Sequence, residues 1–215
     1  MNRPDLMIFD LDGTLIDSMR DLAVAINFMR SQYGLPEVSV DTAKTFVGNG
    51  AKTLVRRALG DEREADFDAA LRCYREYYAA HQLVYTRLYP GVAEGLAELR
   101  RSGVVLAVAT NKPSSDALAI LDGLGVKELL AEVCGGDSGL PLKPEPDVLL
   151  HLKKRFNARV CWMAGDHYTD LEAGRRAGFF RVLARYGFGQ PREETPDMCV
   201  DSFAELVEAA LEKRR

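Results

Sequence analysis

The chain has 215 residues, 47% hydrophobic and 28% charged, with a formal net charge of -4. Such a composition belongs to a folded globular protein, and the length fits one core plus an insertion better than two full domains. The acidic balance argues against a nucleic-acid partner held by phosphate neutralisation, and no apolar run approaches the length of a bilayer span.

The first residues, Met1-Asn2-Arg3-Pro4-Asp5, enter the first strand without a hydrophobic leader, so the expectation is a cytoplasmic protein with no membrane partner. Cys73, Cys134, Cys161 and Cys199 are widely spaced with no C-x-x-C, which predicts free thiols rather than a zinc site or a disulfide framework.

Leu6-Met7-Ile8-Phe9 reads as a strand buried on both faces, and it runs into Asp10-Leu11-Asp12-Gly13. Ligands of open α/β sheets bind outside the carboxyl ends of the strands, so Asp10 and Asp12 arrive where chemistry is done. Residues two apart near a strand end point the same way, and Gly13 permits a sharp exit. A calcium loop would need Gly at the position of Leu15 and polar residues where Leu11 and Ile16 stand, so that reading is set aside.

Asp17 or Ser18 then caps a helix carrying Leu22, Ile26, Met29 and Tyr33, ended by Gly34 and Pro36. Asp41 opens a short helix, Gly48-Asn49-Gly50 breaks it, and Leu54, Val55, Ala58 and Leu59 mark another that Gly60 ends. Phe67, Leu71, Tyr74, Tyr78 and His81 form one stripe of a longer helix, on which His81 is read as packed. From Ile16 to Thr86 there is helix after helix without a convincing strand, so residues 16–86 are expected to be an inserted helical domain. The core would comprise 1–15 and 87–215, with Tyr89-Pro90-Gly91 as the return linker.

From Val92 helices and strands alternate. A helix over 92–102 leads to the strand Val104 to Ala109 and Thr110-Asn111-Lys112-Pro113; a helix with Leu118, Leu121 and Leu124 leads to a weaker strand at Val133-Cys134. Lys143-Pro144-Glu145-Pro146 precedes a helix with Leu149, Leu152 and Phe156. Val160 to Ala164 is a strand ending in Gly165-Asp166, Phe180 to Leu183 is another, and Ser202 with Glu205 forms a capping box. The alternation predicts an α/β fold, a parallel sheet wrapped on both faces.

Three buried runs thus end in groups suited to a phosphate and a metal: Asp10 with Asp12, Thr110 with Asn111, and Asp166 with Asp170, with Lys143 on the same side. Phosphoryl transfer needs a nucleophile, a cation over the oxygens, donors for the transferring group and a proton for the leaving oxygen. A carboxylate can be that nucleophile, and magnesium takes carboxylates, waters and phosphate oxygens. Gly48-Asn49-Gly50-Ala51-Lys52 offers a helix N-terminus and a lysine as a second anion site, while Arg56 and Arg57 share a helix with an apolar face and are equally well read as solvated.

These residues resemble the haloacid dehalogenase superfamily. Asp10 to Leu15 is similar to its first motif, Thr110 to its second, Lys143 to its third and Gly165-Asp166 through Asp170 to its fourth, in order. The resemblance implies a Rossmann-like core with an all-helical cap, Asp10 as nucleophile, Asp12 as general acid and base, and Thr110 with Lys143 holding the phosphoryl group. It also implies magnesium bound by Asp10, the backbone carbonyl of Asp12 and Asp166, supported by Asp170. Phe46 to Gly50, Tyr89 to Val92, Thr110 to Pro113 and Lys143 to Pro146 resemble the phosphoglycolate phosphatase branch; His167 departs from it, standing where Ser or Thr is usual.

The expected function is hydrolysis of a small phosphomonoester, with 2-phosphoglycolate as the expected substrate, by a monomer or homodimer. The alternatives are a sugar-phosphate mutase on the same core or a silent binding protein. The Gly48-Asn49-Gly50 loop favours a phosphatase over the first, and intact Asp10, Asp12, Lys143 and Asp166 argue against the second. Dehalogenase chemistry is disfavoured because its leaving group needs no proton, and Asp12 is present to supply one.

Overall fold

Strand β1 (Leu6–Phe9) is buried along its whole length and lies inside a six-stranded sheet. The computed structural model describes residues 3–212. The sheet also contains β4 (Val105–Ala109), β5 (Glu132–Cys134), β6 (Cys161–Gly165), β7 (Phe180–Ala184) and β8 (Met198–Val200), after the short strands β2 (Ile16–Asp17) and β3 (Arg87–Leu88). Its order is β5-β4-β1-β6-β7-β8, and every pairing is parallel. Parallel neighbours require crossovers: α5 (Val92–Arg101), α6 (Ser114–Gly123), α7 (Asp147–Arg155) and α8 (Tyr168–Ala177) lie in them, residues 185–197 join β7 to β8 without a helix, and α9 (Phe203–Leu211) follows the last strand.

Side-chain alternation sends each strand into two cores. Met7 and Phe9 join Leu96 of α5, Ile120 of α6, Trp162 and Phe203 of α9 on one face. Leu6 and Ile8 join Leu149 and Leu152 of α7, Met163 and Ala173 of α8 on the other. Each fully buried Leu, Met, Ile or Phe stabilises by about 1.5–3 kcal/mol, so a strand with four such positions fixes the register of its neighbours. The fold is therefore α/β, a helix-wrapped parallel sheet, as the alternation predicts.

Between β2 and β3 stand α1 (Met19–Gln32), α2 (Val40–Lys44), α3 (Ala51–Leu59) and α4 (Phe67–His81). They enclose a separate apolar cluster that includes Leu22, Ile26, Met29, Leu54, Val55 and Tyr74. The two strands that lead in and out pair antiparallel, Ile16 with Leu88 and Asp17 with Arg87. Buried Asp21, in the first turn of α1, adds a clamp: its carboxylate accepts Tyr85 N–H, Thr86 N–H at 2.8 Å and the Thr86 hydroxyl at 2.8 Å.

Several local readings are corrected. Ile16–Asp17 is a strand, short enough that only its partner Arg87–Leu88 reveals it. Ser18 does not cap α1; its hydroxyl goes to Asp12, and Asp17 accepts the Met19 N–H instead. Ser39, not Asp41, caps α2. In α6 the buried residues are Ala117, Ile120 and Leu121, so the inward face begins at the small Ala117 and Leu118, one position on, faces outward. His81 is exposed and stacks on Tyr77. Ser202 caps Glu205 N–H, but the Glu205 carboxylate reaches back to Asp201 N–H, one residue too early for a capping box. Edge strand β8 has too little apolar length to announce itself. No cysteine is in a disulfide, and among the described residues no helix is long and apolar enough to cross a membrane.

Candidate active site

Because β1, β4 and β6 run parallel and adjacent, their carboxyl ends release Asp10, Thr110 and Asp166 side by side. Backbone bonds fix the exits: Asp10 N–H donates to Ala164 O, and Thr110 N–H to Cys134 O. All three residues are buried, as are Lys143 and Asp170. Lys143 arrives on the loop before α7, and its Nζ donates to Asp10 Oδ1 at 2.8 Å and to Asp170 Oδ1 at 2.6 Å. Asp170 Oδ2 accepts the His167 N–H, so this one carboxylate both holds the lysine and closes the N-terminus of α8.

Asp10, Asp166 and Asp170 present carboxylate oxygens that all lie within 4.8 Å of one another, a group that could hold a metal ion. Burial pushes Asp10 up to about 6, against the pull of Lys143 and with Asp170 adding repulsion. Burial, then repulsion from Asp10 and Asp170, holds Asp166 well above the usual carboxylate range. For Lys143 burial alone would favour the neutral amine, but Asp10 and Asp170 outweigh it and hold the ammonium above its ordinary value. Three buried acids against one cation leave the cluster short of positive charge, and an all-oxygen donor set suits a hard divalent ion.

The Gly-rich segment Tyr186 to Gly189 closes over Asp166. Asp166 Oδ2 accepts Phe188 N–H at 3.0 Å and Gly189 N–H at 2.7 Å. The Tyr186 hydroxyl donates to Thr14 O. Gly13 makes the approach possible: its φ is +85°, and a Cβ there would lie 1.8 Å from Asp166 Oδ2.

Asp12, two residues beyond Asp10, is less buried and outside the acid cluster. Its Oδ1 accepts the Ser18 hydroxyl at 2.5 Å and Lys112 Nζ at 2.8 Å. Nothing in the Thr110-Asn111-Lys112-Pro113 string signals that Lys112 is buried beside Asp12, since a lysine before a proline is ordinarily solvated. The Thr110 hydroxyl oxygen accepts Lys112 N–H, which leaves its proton to donate elsewhere.

A cleft open to solvent joins these groups to the helical unit. Asp10, Asp12, Thr110, Lys143 and Asp166 line its sheet end, and Gly48, Gly50 and Ala51 line its far side at the start of α3. Other predicted residues are placed differently. Lys52 is exposed and off the cavity, because the second residue of α3 points away from it; Lys44 and Arg75 are the cations that line it from the helical unit. The Asn111 amide is spent on backbone, donating to Gly48 O and Lys143 O and accepting Lys143 N–H, so it organises the loops. Asn49 donates to the Tyr168 hydroxyl at 2.8 Å and accepts from Arg57, outside the cavity lining. Arg57 also donates to Thr45 O and Phe46 O, while Arg56 pairs with Glu64.

His167 caps α8, its Nδ1 accepting Thr169 N–H. It therefore does the work expected of Ser or Thr there. Burial pulls its pKa down to about 4, with Arg192 and Lys143 adding to the fall and Asp10 opposing it.

A family model for haloacid dehalogenase-like hydrolases matches residues 4–178. A phosphoglycolate phosphatase of Chromobacterium violaceum is 38% identical, covering 93% of this chain and 93% of that one. One from Haemophilus influenzae strain Rd is 36% identical, covering 94% and 96%. The crystal structure of a predicted phosphoglycolate phosphatase from Haemophilus somnus 129pt superposes with a TM-score of 0.91 at 33% identity, over 97% of this chain and 99% of that one. With the parallel sheet and its strand-end acids already in view, a match over this much of the sequence leaves one assignment: the chain belongs to the haloacid dehalogenase-like hydrolases.

Proposed function

We propose that this hydrolase is a magnesium-dependent phosphatase for a small phosphomonoester, with 2-phosphoglycolate as its substrate. The observation that carries the reading is Asp10: a carboxylate at the end of a central strand, bonded to Lys143 on one side and facing Asp166 and Asp170 on the other. Relatives bearing the name phosphoglycolate phosphatase support the choice of ester.

Asp10 attacks phosphorus and becomes an aspartyl-phosphate as the bond to the leaving oxygen breaks. Asp12 gives its proton to that oxygen, then takes one from the water that hydrolyses the acyl phosphate and restores Asp10. The Thr110 hydroxyl and the Lys143 ammonium hold the phosphoryl oxygens, and Lys143 keeps Asp10 ionised against the neighbouring acids. Asp10, Asp166 and the Asp12 backbone carbonyl, with Asp170 in support, would hold magnesium, which when bound would supply positive charge to offset that of the phosphoryl group.

In this reading residues 16–86 act as a cap over a core formed by 1–15 and 87–215. The first turn of α3, with Gly50 and Ala51 on the cavity, offers free N–H groups to the substrate's carboxylate, and Lys44 and Arg75 add positive charge. A cytoplasmic monomer or homodimer suffices for this chemistry, since every proposed group comes from one chain.

The test is phosphate release from p-nitrophenyl phosphate with and without magnesium, followed by specificity constants for 2-phosphoglycolate and ethyl phosphate. A charge-assisted contact is worth about 1.5–3 kcal/mol, so the acid should be favoured about ten-fold or more. Equal constants would overturn the phosphoglycolate reading alone; no release of phosphate would overturn the phosphatase.

A further inference from the structure

We propose that Lys112 is a positioning residue for Asp12, and that Tyr78, on helix α4 of the helical unit, holds Lys112 to that task. The inference rests on the phosphatase reading above and adds to it a pair of residues outside the four motifs.

The Asp12 carboxyl group has two oxygens, and the structure treats them differently. Oδ1 accepts both the Ser18 hydroxyl and the Lys112 ammonium. Oδ2 has no hydrogen-bond partner among the described residues, on a group that lines the cavity. Pinning one oxygen with a cation and a hydroxyl selects the other as the atom that exchanges a proton with the leaving oxygen.

A lysine is a weak anchor unless its own long side chain is held. Here the backbone is fixed first: Lys112 N–H donates to the Thr110 hydroxyl oxygen, and Lys112 O accepts Gly136 N–H. The ammonium is fixed second, by the Tyr78 hydroxyl at 2.6 Å, with the ring centroid 4.6 Å from Nζ. Burial drives the Tyr78 hydroxyl well above its ordinary pKa, with Asp12 and Asp116 adding to the rise, so it meets Lys112 as a neutral acceptor and does not compete with Asp12 for the charge. Both residues are buried, and Tyr78 stacks on Tyr74 within the apolar cluster of the helical unit. The position of α4 relative to the loop after β4 is thereby transmitted to Asp12 through one side chain.

The experiment compares kcat and KM for p-nitrophenyl phosphate, whose leaving group needs little protonation, with those for ethyl phosphate, whose leaving alkoxide needs a proton. Four magnesium-loaded proteins are measured: the parent, Tyr78→Phe, Lys112→Met and the double variant. General acid help is worth about two to four powers of ten, and loss of its positioning should remove part of it. Tyr78→Phe should lower kcat for ethyl phosphate about five- to ten-fold, with kcat for p-nitrophenyl phosphate and both KM values within about two-fold. Lys112→Met should show a larger loss of the same selective kind, and Tyr78→Phe should add nothing to it.

Equal losses on the two esters, additive losses in the double variant, or a Lys112→Met defect confined to KM would each overturn the proposal. If Lys112→Met does not fold, Tyr78→Phe, which deletes one oxygen atom, still decides it. A parent that hydrolyses neither ester would overturn the phosphatase reading and this inference together.

Discussion

Lys143 Nζ lies 2.8 Å from Asp10 Oδ1, and neither residue is more than 8% exposed. The pair spans 133 positions of sequence and brings a loop lysine to the end of a central strand. Its consequence is electrostatic. Asp10 stands among acids that oppose its ionisation, and Lys143 is the cation in direct contact that favours it.

Replacing Asp10 by Asn keeps the shape and removes the charge proposed to attack phosphorus. Turnover should fall by about four powers of ten or more. The fold should persist, and with metal absent the variant should melt no lower than the parent at pH 7 to 8. The sign follows from Asp10, whose folded pKa of about 6 lies above its ordinary value. The stability it contributes is present at low pH and lost as pH rises through about 6, so at neutral pH the charged group is a burden that Asn lacks. Substantial phosphatase activity in a folded variant would remove Asp10 from the role of nucleophile.

Magnesium should raise the melting temperature of the parent, because an ion bound only by the folded state stabilises it and relieves repulsion among Asp10, Asp166 and Asp170. Asp166→Asn should abolish most of that rise and most of the activity. Activity should vanish with EDTA and return with magnesium, while calcium should bind without supporting efficient turnover. Thermal melts across a magnesium series, run beside the assay, test binding independently of catalysis.

Gly13→Ala should be costly for two separable reasons. The φ of +85° is strained for any side chain, and the new Cβ would meet Asp166 Oδ2 at 1.8 Å. Together these should destabilise by about 2–4 kcal/mol and weaken magnesium binding. Gly34→Ala shares a positive φ but has nothing within 4 Å of its Cβ. It should show only the backbone part, about 1–2 kcal/mol, with metal binding intact. Urea midpoints of the two variants distinguish strain from collision.

His167→Ser should make the protein more resistant to mild acid. The folded pKa of about 4 lies below the ordinary value of 6.5. The unfolded chain therefore takes up the proton first, and stability is full above about pH 6.5 and lost as pH falls towards about 4. Between pH 7 and 5 the parent should lose about 1–2 kcal/mol more than the variant, in which serine keeps the N-cap without titrating. Parallel denaturant curves at the two pH values would sink this account of His167 if their spacing does not change.

The sequence alone determined the parts of this protein that depend on local chemistry. A run such as Leu6 to Phe9 can only be a doubly buried strand, and helix–strand alternation after Val92 leaves a parallel sheet as its consistent partner. Parallel strands share one carboxyl end, so placing Asp10, Thr110 and Asp166 together follows from pattern and topology. What spacing could not express is which long side chain turns inward. Lys112 and Lys52 look alike in sequence, yet one is buried against Asp12 and Tyr78 and the other is exposed. Likewise Asn111 and Asn49 read as substrate donors, and only the docking of the Gly48 to Gly50 loop on α8 and the Lys143 loop commits their amides to Gly48 O, Lys143 O and Tyr168. The two-residue strand β2 belongs to the same class: Ile16–Asp17 is extended because Arg87–Leu88, some seventy positions on, supplies its hydrogen bonds. Such choices are made by partners distant in sequence, and a side chain with four rotatable bonds carries no local signal of where its charge will be paired.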